Sequence, residues 1–203
     1  MNTETFLTIE KSAEAKYVEK KSSFLSFALP VQSEEEVKDA LKQFRKTYYD
    51  ARHICYAFRL YEGNISHSSD NGEPSGTAGK PILGNILSRN LTNVLIVVVR
   101  YFGGIKLGTS GLSAAYKLST EMCLKDVSVV ERFELSTWTF DFDYLQMDKV
   151  MQNIKMSDVR IVSSQMELTC HIEIEGSKSS VEALREKLEK LCITKKQKTG
   201  ANQ

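Results

Sequence analysis

The chain has 203 residues, of which 41% are hydrophobic and 26% charged, and its net charge is +1. That length allows one large domain or two small ones, each able to bury a core, and the charge balance does not announce a nucleic-acid binder. No stretch approaches the roughly 20 apolar residues of a membrane helix, and Met1-Asn2-Thr3-Glu4-Thr5 lacks the basic and apolar regions of a signal peptide, so a cytoplasmic protein is expected.

The first clear element is a strand from Ser22 to Val31, ending at Pro30. Ser33 then opens a helix: Glu36 completes a capping box, and Val37, Ala40, Leu41, Phe44 and Tyr48 repeat at the spacing of one helical face. Ile54 to Leu60 alternates as a strand, with Ile54, Tyr56, Phe58 and Leu60 facing the core. Tyr61 to Gly79 has no apolar period and reads as a long loop of the kind that tends to be functional. Pro81 suits the first turn of a short helix through Arg89. The run Val94 to Val99 is nearly all β-branched, as in a strand covered on both faces. A helix from about Ser110 to Lys125 and a strand near Val127 to Phe133 follow.

The remainder has a different rhythm. A strand over Glu134–Asp143, a helix over Tyr144–Met156, strands over Arg160–Met166 and Glu167–Glu175, and a helix over Ser177–Cys192 precede a last strand near Ile193–Lys198. Ser177 and Ser180 compete to cap that helix, and Val181, Leu184, Leu188 and Leu191 trace its apolar stripe. This is the βαββαβ, ferredoxin-like order. The boundary is placed near Glu131-Arg132-Phe133-Glu134, giving domains 1–132 and 133–203. Cys55, Cys123, Cys170 and Cys192 have no metal-site or redox spacing and read as buried thiols. No metal or cofactor is expected.

Eight of the eleven glycines fall between Asn64 and Tyr116, seven of them in two runs, Gly72–Gly79 and Arg100–Gly111. Each precedes a helix, where bare N–H groups beside Ser and Thr hydroxyls form a ready anion site. In the second run, Gly103, Gly104, Gly108 and Gly111 permit close backbone approach to a bound group, and Thr109 or Ser110 is expected to cap the helix. Arg100 and Lys106 flank it, Arg100 being the better phosphate grip because a guanidinium binds in a bidentate fork. Tyr101 and Phe102 are read as core, with base stacking the alternative. In the first run, Gly76 and Thr77 play the corresponding parts. Asp70 and Glu73 bring negative charge, suited to binding a loop N–H or a basic side chain, with general-base chemistry the alternative. His53 and Cys55 share a strand face but lie about 6.6 Å apart along it, too far for a direct nucleophile–base pair.

Gly79-Lys80-Pro81-Ile82-Leu83 and Val97-Val98-Val99-Arg100-Tyr101-Phe102-Gly103-Gly104-Ile105-Lys106-Leu107-Gly108 resemble the signature of the Impact family, as do Arg52-His53-Ile54-Cys55-Tyr56-Ala57 and the run from Ser69 to Gly79. The resemblance spans roughly Ser22 to Tyr116 and points to the bacterial, YigZ-like members. It implies an N-terminal domain of the ribosomal-protein-S5-domain-2-like fold and a ferredoxin-like C-terminal domain, α+β in both. Eukaryotic relatives restrain the starvation-responsive kinase of translation initiation by competing for its ribosome-associated activator; for bacterial members, nucleic-acid or ribosome binding is suggested. The resemblance carries no catalytic residues. It transfers His53, Glu73, Thr77, Arg100, Lys106 and Thr109 as a candidate surface. Ser110 stands where relatives more often have glycine, and Ala114 where they often have a basic residue.

The leading expectation is a non-enzymatic translation-associated factor binding RNA or a ribosome-linked partner through these loops. The alternatives are a small-molecule phosphate enzyme and a purely protein–protein regulator. Gly108–Ala115 faintly resembles the phosphate loop of small-metabolite kinases, although no Walker-type lysine motif is present.

Overall fold

The protein is described here by a computed structural model covering residues 5–133 and 135–191. Its first half runs β1 (Thr5–Ile9), β2 (Ala13–Glu19), β3 (Ser22–Pro30), α1 (Glu34–Thr47), β4 (His53–Arg59) and β5 (Ser66–Ser69). It continues with α2 (Gly79–Ser88), β6 (Val94–Tyr101), α3 (Gly108–Cys123) and β7 (Val129–Phe133). Two compact units result: Phe6–Arg132, and the chain from Phe133 onward with Thr5 grouped to it.

The first unit is organised by β6. Every residue from Val94 to Arg100 is buried, because the strand lies at the centre of an antiparallel sheet ordered β2-β3-β6-β4-β5 that is covered on both faces. On one face Ile96 and Val98 join Phe24, Cys55 and Ala57 beneath α2 and α3, which contribute Ile82, Ile86, Leu112 and Tyr116. On the other, Leu95, Val97 and Val99 pack with Ile54 and Phe58 against Val37 and Leu41 of α1. The alternation of residues 54–60 therefore marks only one of two buried faces, since small Cys55 and Ala57 fill the other.

Capping fixes α1 as its sequence predicts. Ser33 accepts the Glu36 N–H at 3.2 Å, while the Glu36 carboxylate accepts the N–H of Gln32, one residue before the cap, at 2.8 Å. Three departures stand out. The segment 61–79 is not all loop, because Ser66–Ser69 adds β5 to the edge of the sheet beside β4; Ser-His-Ser-Ser carries no apolar signal because an edge strand has little surface to bury. β2 escapes notice because its inward residues include two alanines, Ala13 and Ala15, packed with Tyr17 against the core. β1 is a short partner for β7, five residues each.

The second unit contains β8 (Leu135–Asp143), α4 (Met147–Lys155), β9 (Val159–Gln165), β10 (Thr169–Ser177) and α5 (Lys178–Lys190). Its antiparallel sheet is ordered β8-β10-β9. Phe140, Phe142, Cys170, Ile172 and Ile174 point to one face and meet Val150, Ile154, Leu184 and Leu188 of the helices. Ser177, not Ser180, is the cap of α5, accepting the Ser180 N–H at 3.1 Å. The strand expected near Ile193–Lys198, Cys192 and the lysines beyond it lie outside the described residues. Cys55, Cys123 and Cys170 are free and buried, as expected.

Candidate anion-binding surface

The first glycine run is already filled by the protein's own anion. The Asp70 carboxylate accepts the N–H groups of Gly76 (2.8 Å), Ala78 (2.9 Å) and Gly79 (2.8 Å). Burial by itself raises the Asp70 carboxyl, but these three amides and nearby Lys80 together outweigh it and hold the group below its ordinary value. The Thr77 hydroxyl donates to the Pro74 carbonyl at 2.6 Å, and Thr77 is 6% exposed. The amide of Gly76 and the hydroxyl of Thr77, expected to receive an outside ligand, are thus spent inside the loop. The physical reason is the Asp70 carboxylate, which directly follows β5 and reaches across the loop to the amides at the start of α2.

Glu73 is drawn inward as well. Its Oε1 accepts from Arg100 Nη1 at 2.5 Å and from the Tyr116 hydroxyl at 2.9 Å, with the Glu73 and Arg100 side chains 3% and 6% exposed. Sheet register sets the arrangement: Arg100 is paired across the ladder with His53 of β4 and Phe24 of β3. Its guanidinium lies between the Phe24 and Phe102 rings, 5.5 and 5.6 Å from their centroids. His53 Nδ1 lies 2.9 Å from the Asn71 carbonyl, which places its proton on Nδ1 and leaves Nε2 facing Glu73 Oε2 at 3.9 Å. Cys55 Sγ is 2.9 Å from the Asp70 carbonyl and 3.3 Å from the Tyr116 hydroxyl, and burial pushes this thiol up to about 12. Burial likewise drives the Tyr116 phenol upward, so it stays a donor to Glu73.

This cluster ties the first loop to β4, β6 and α3. Arg100 is committed to Glu73, so the reading of Arg100 and Glu73 as open surface groups is corrected: a buried charge demands a buried counter-charge, and each supplies the other's. Of the two roles anticipated for the loop carboxylates, binding loop N–H groups (Asp70) and binding a basic side chain (Glu73) are both realised. Tyr116 was not singled out in the sequence; its place on the apolar face of α3, with a hydroxyl that needs a partner, is the signal.

The second glycine run is open. Gly104, Lys106, Gly108, Thr109 and Ser110 are exposed. Gly108 begins α3 at φ +74°, and neither Thr109 nor Ser110 caps the helix: the cap position falls on Leu107 and has no side-chain bond. Both hydroxyl residues sit instead in the first turn, whose N–H groups have no intrahelical partner. Tyr101 joins the core and donates to Asp50 at 2.8 Å, whereas Phe102 is 45% exposed, against its reading as core.

Gly103 has a different duty. A Cβ there would run into the backbone of Lys21 and Ser22, and its N–H donates to Ser22 Oγ at 3.2 Å. The missing side chain lets the two-residue turn between β2 and β3 seat against the loop. That turn is Lys20-Lys21, exposed, with φ +46° and +65°. Lys20 and Lys21 thereby flank the second glycine loop, which itself carries exposed Lys106. Sequence reading missed these two lysines because they belong to a hairpin some 80 residues away in the chain.

The Impact N-terminal domain family model matches residues 20–124, the region holding every group just described. The IMPACT family member YvyE of Bacillus subtilis is 35% identical over 75% of this chain and 71% of its own length. A family member of Haemophilus influenzae is 33% identical over 83% and 84%, and YigZ of Escherichia coli 33% over 71% and 72%. A crystal structure described only as that of a hypothetical protein overlays with a TM-score of 0.72 at 28% identity, covering 93% of each chain.

Proposed function

Because the chain belongs to the Impact family, we propose that it is a cytoplasmic, translation-associated regulator that binds RNA or a ribosome-linked partner without covalent chemistry. The binding surface is the second glycine loop with the hairpin turn seated on it. In this reading residues 1–132 are the Impact domain, of ribosomal-protein-S5-domain-2-like fold, and 133–203 a ferredoxin-like domain whose described strands follow the order 1-3-2.

The observation that carries the proposal is the seating of the exposed Lys20-Lys21 turn against Gly103, in a loop that also carries exposed Lys106. Three exposed cations, the unpaired N–H groups of the first turn of α3 and the exposed Phe102 ring suit a phosphate-bearing chain with a base to stack. Arg100 supports this surface from behind, holding Phe102 rather than gripping phosphate. Lys20 and Lys21 adopt a backbone conformation that favours glycine and asparagine, a cost that a binding role would justify. The enclosure of Glu73 and the un-ionised Cys55 thiol favour binding over small-molecule catalysis.

Filter binding of single-stranded RNA across a salt series tests this. Affinity should fall steeply with salt, and Lys20→Ala, Lys21→Ala and Lys106→Ala should each lower the log–log slope by roughly one. RNA binding that is undetectable, or indifferent to salt and to all three substitutions, would refute the RNA arm. Ribosome pull-down with and without ribonuclease then isolates a protein partner.

A further inference from the structure

The Lys20–Lys21 turn and the second glycine loop lie at one end of the five-stranded sheet, and the register brings a third segment there. β6 finishes at Tyr101, opposite Ser23 near the start of β3, while Arg100 pairs with His53 at the start of β4. The connection from α1 to β4, residues 48–52, therefore emerges beside the loop between β6 and α3. The Tyr101 hydroxyl closes that junction by donating to Asp50 at 2.8 Å. Tyr49 is also close enough to act on the Tyr101 phenol, which partial burial, Asp50, Tyr48 and Tyr49 together hold above its ordinary value.

Two rings are left to solvent at this end. Tyr49 is 85% exposed and Phe102 45%, and each is one residue from the Asp50–Tyr101 bond. One exposed aromatic needs no explanation, but two flanking the same hydrogen bond form a pair. Their chain neighbours pack inward: Tyr48 stacks on Phe44 and meets Phe27, and Tyr101 joins the same core. Charge divides along the same axis. Lys20, Lys21, Arg45, Lys46, Arg52 and Lys106 are exposed at this end. The carboxylates here are engaged within the protein, Asp50 by Tyr101, Glu19 by Tyr17, Asp70 by three amides and Glu73 by Arg100. At the opposite end, Glu34 and Glu35 of the first turn of α1 and Glu62 beyond β4 line an open cleft of about 380 Å³. The net charge of +1 hides this separation.

Resting on the RNA reading above, we propose that this end takes single-stranded rather than duplex RNA, with Tyr49 a second base platform beside Phe102 and Arg52 a phosphate contact. A ring can stack only on a base whose face is free, and a duplex hides its faces in its own stack. β3, β6 and β4 are consecutive in the sheet. Neighbouring strands are about 4.8 Å apart, so the Lys20–Lys21 turn and Arg52 stand roughly 10 Å apart across the sheet end, with Phe102 following the strand between them. The RNA strand would run from the hairpin past Phe102 to Tyr49. An acidic peptide would answer the cations and leave both rings uncovered, whereas unpaired nucleotides answer both.

The test uses the full chain and a twelve-nucleotide single-stranded RNA carrying 2-aminopurine, with the duplex of the same sequence and a glutamate-rich peptide as comparisons. The single strand should bind about tenfold or more tightly than the duplex, with its 2-aminopurine fluorescence quenched by stacking. Tyr49→Ala should weaken binding by about fivefold to a hundredfold, the worth of one stacked base, and ring-preserving Tyr49→Phe should not. Arg52→Ala should lower the salt slope as the lysine substitutions do, while Lys38→Ala, at the opposite end, should change nothing. These sites are exposed, and unchanged circular dichroism and melting will show that the variants fold. Binding that needs Lys20, Lys21 and Lys106 but ignores Tyr49→Ala and Arg52→Ala would overturn this inference and leave the RNA reading standing. So would equal affinity for the duplex, or equal loss in Tyr49→Ala and Tyr49→Phe. No RNA bound at all removes both, and capture of the glutamate-rich peptide in its place, lost in Tyr49→Ala, would make this end a protein-docking surface instead.

Discussion

Replacing Asp70 with asparagine removes one negative charge and one of two acceptor oxygens from the turn that starts α2. If the remaining amide oxygen keeps Ala78 and Gly79, the side-chain NH₂ faces the Gly76 N–H, so one of three bonds is lost outright and two cease to be charge-assisted. Hydrogen bonds to a charged group contribute about 1.5–3 kcal/mol each, against about 0.5–1.5 for neutral ones. Asp70 is only partly buried, so about 2–4 kcal/mol in all is the reasonable loss at neutral pH, or roughly 5–15 °C in Tm for a chain of this size. Denaturant unfolding followed by circular dichroism measures it. Acid supplies a second reading. The folded-state pKa of Asp70 lies below its unfolded value, so its contribution is fully present above about pH 4 and is lost as pH falls through the folded pKa. The gap between native protein and Asp70→Asn must therefore narrow as pH drops below about 4. Equal midpoints at pH 7, or a gap that persists unchanged into strong acid, would show that the loop does not depend on this carboxylate.

Two further substitutions separate glycines by their surroundings. Gly103→Ala should cost about 1–3 kcal/mol or more, because its methyl group meets the Lys21–Ser22 backbone, and backbone cannot step aside as a side chain can. Gly84→Ala, in an exposed helical position with nothing near its Cβ, should add about 0.5–1 kcal/mol; a destabilised Gly84→Ala in thermal melts would contradict the packing described for α2. Lys20→Asn combined with Lys21→Gly should relieve the left-handed turn, raising stability by roughly 1 kcal/mol while weakening RNA binding. Gain of stability without loss of binding would separate the turn from the proposed surface.

The sequence exposes what repeats locally and hides what is assembled at a distance. The stripe of α1, its Ser33 cap and the β-branched run of β6 are local signals, and the structure follows them. β5 and β2 carry weak or disguised patterns, because an edge strand and an alanine-lined face do not need bulky residues. The glycine runs point to the right region, since glycine marks where backbone approaches something closely. What approaches is different in each case: Asp70 in the first loop and the Lys20–Lys21 hairpin in the second. Both are matters of three-dimensional closure. Arg100 reads as a ligand group because an arginine ending a hydrophobic strand needs an anion, and only the fold reveals that Glu73 provides it.

β6 has neighbours on both edges as well as both faces. No partial opening that spares the rest of its unit can bare its amides, so they should be the slowest in the unit to exchange with deuterium, at the rate of whole-unit unfolding. β2 and β5, each with one free margin, can fray without consequence for it. The Lys20–Lys21 turn sits at the outer end of one such margin and Gly103 just past the tip of β6. A surface for catching a partner can thus yield on one side while staying anchored, on the other, to the most protected strand of its own unit.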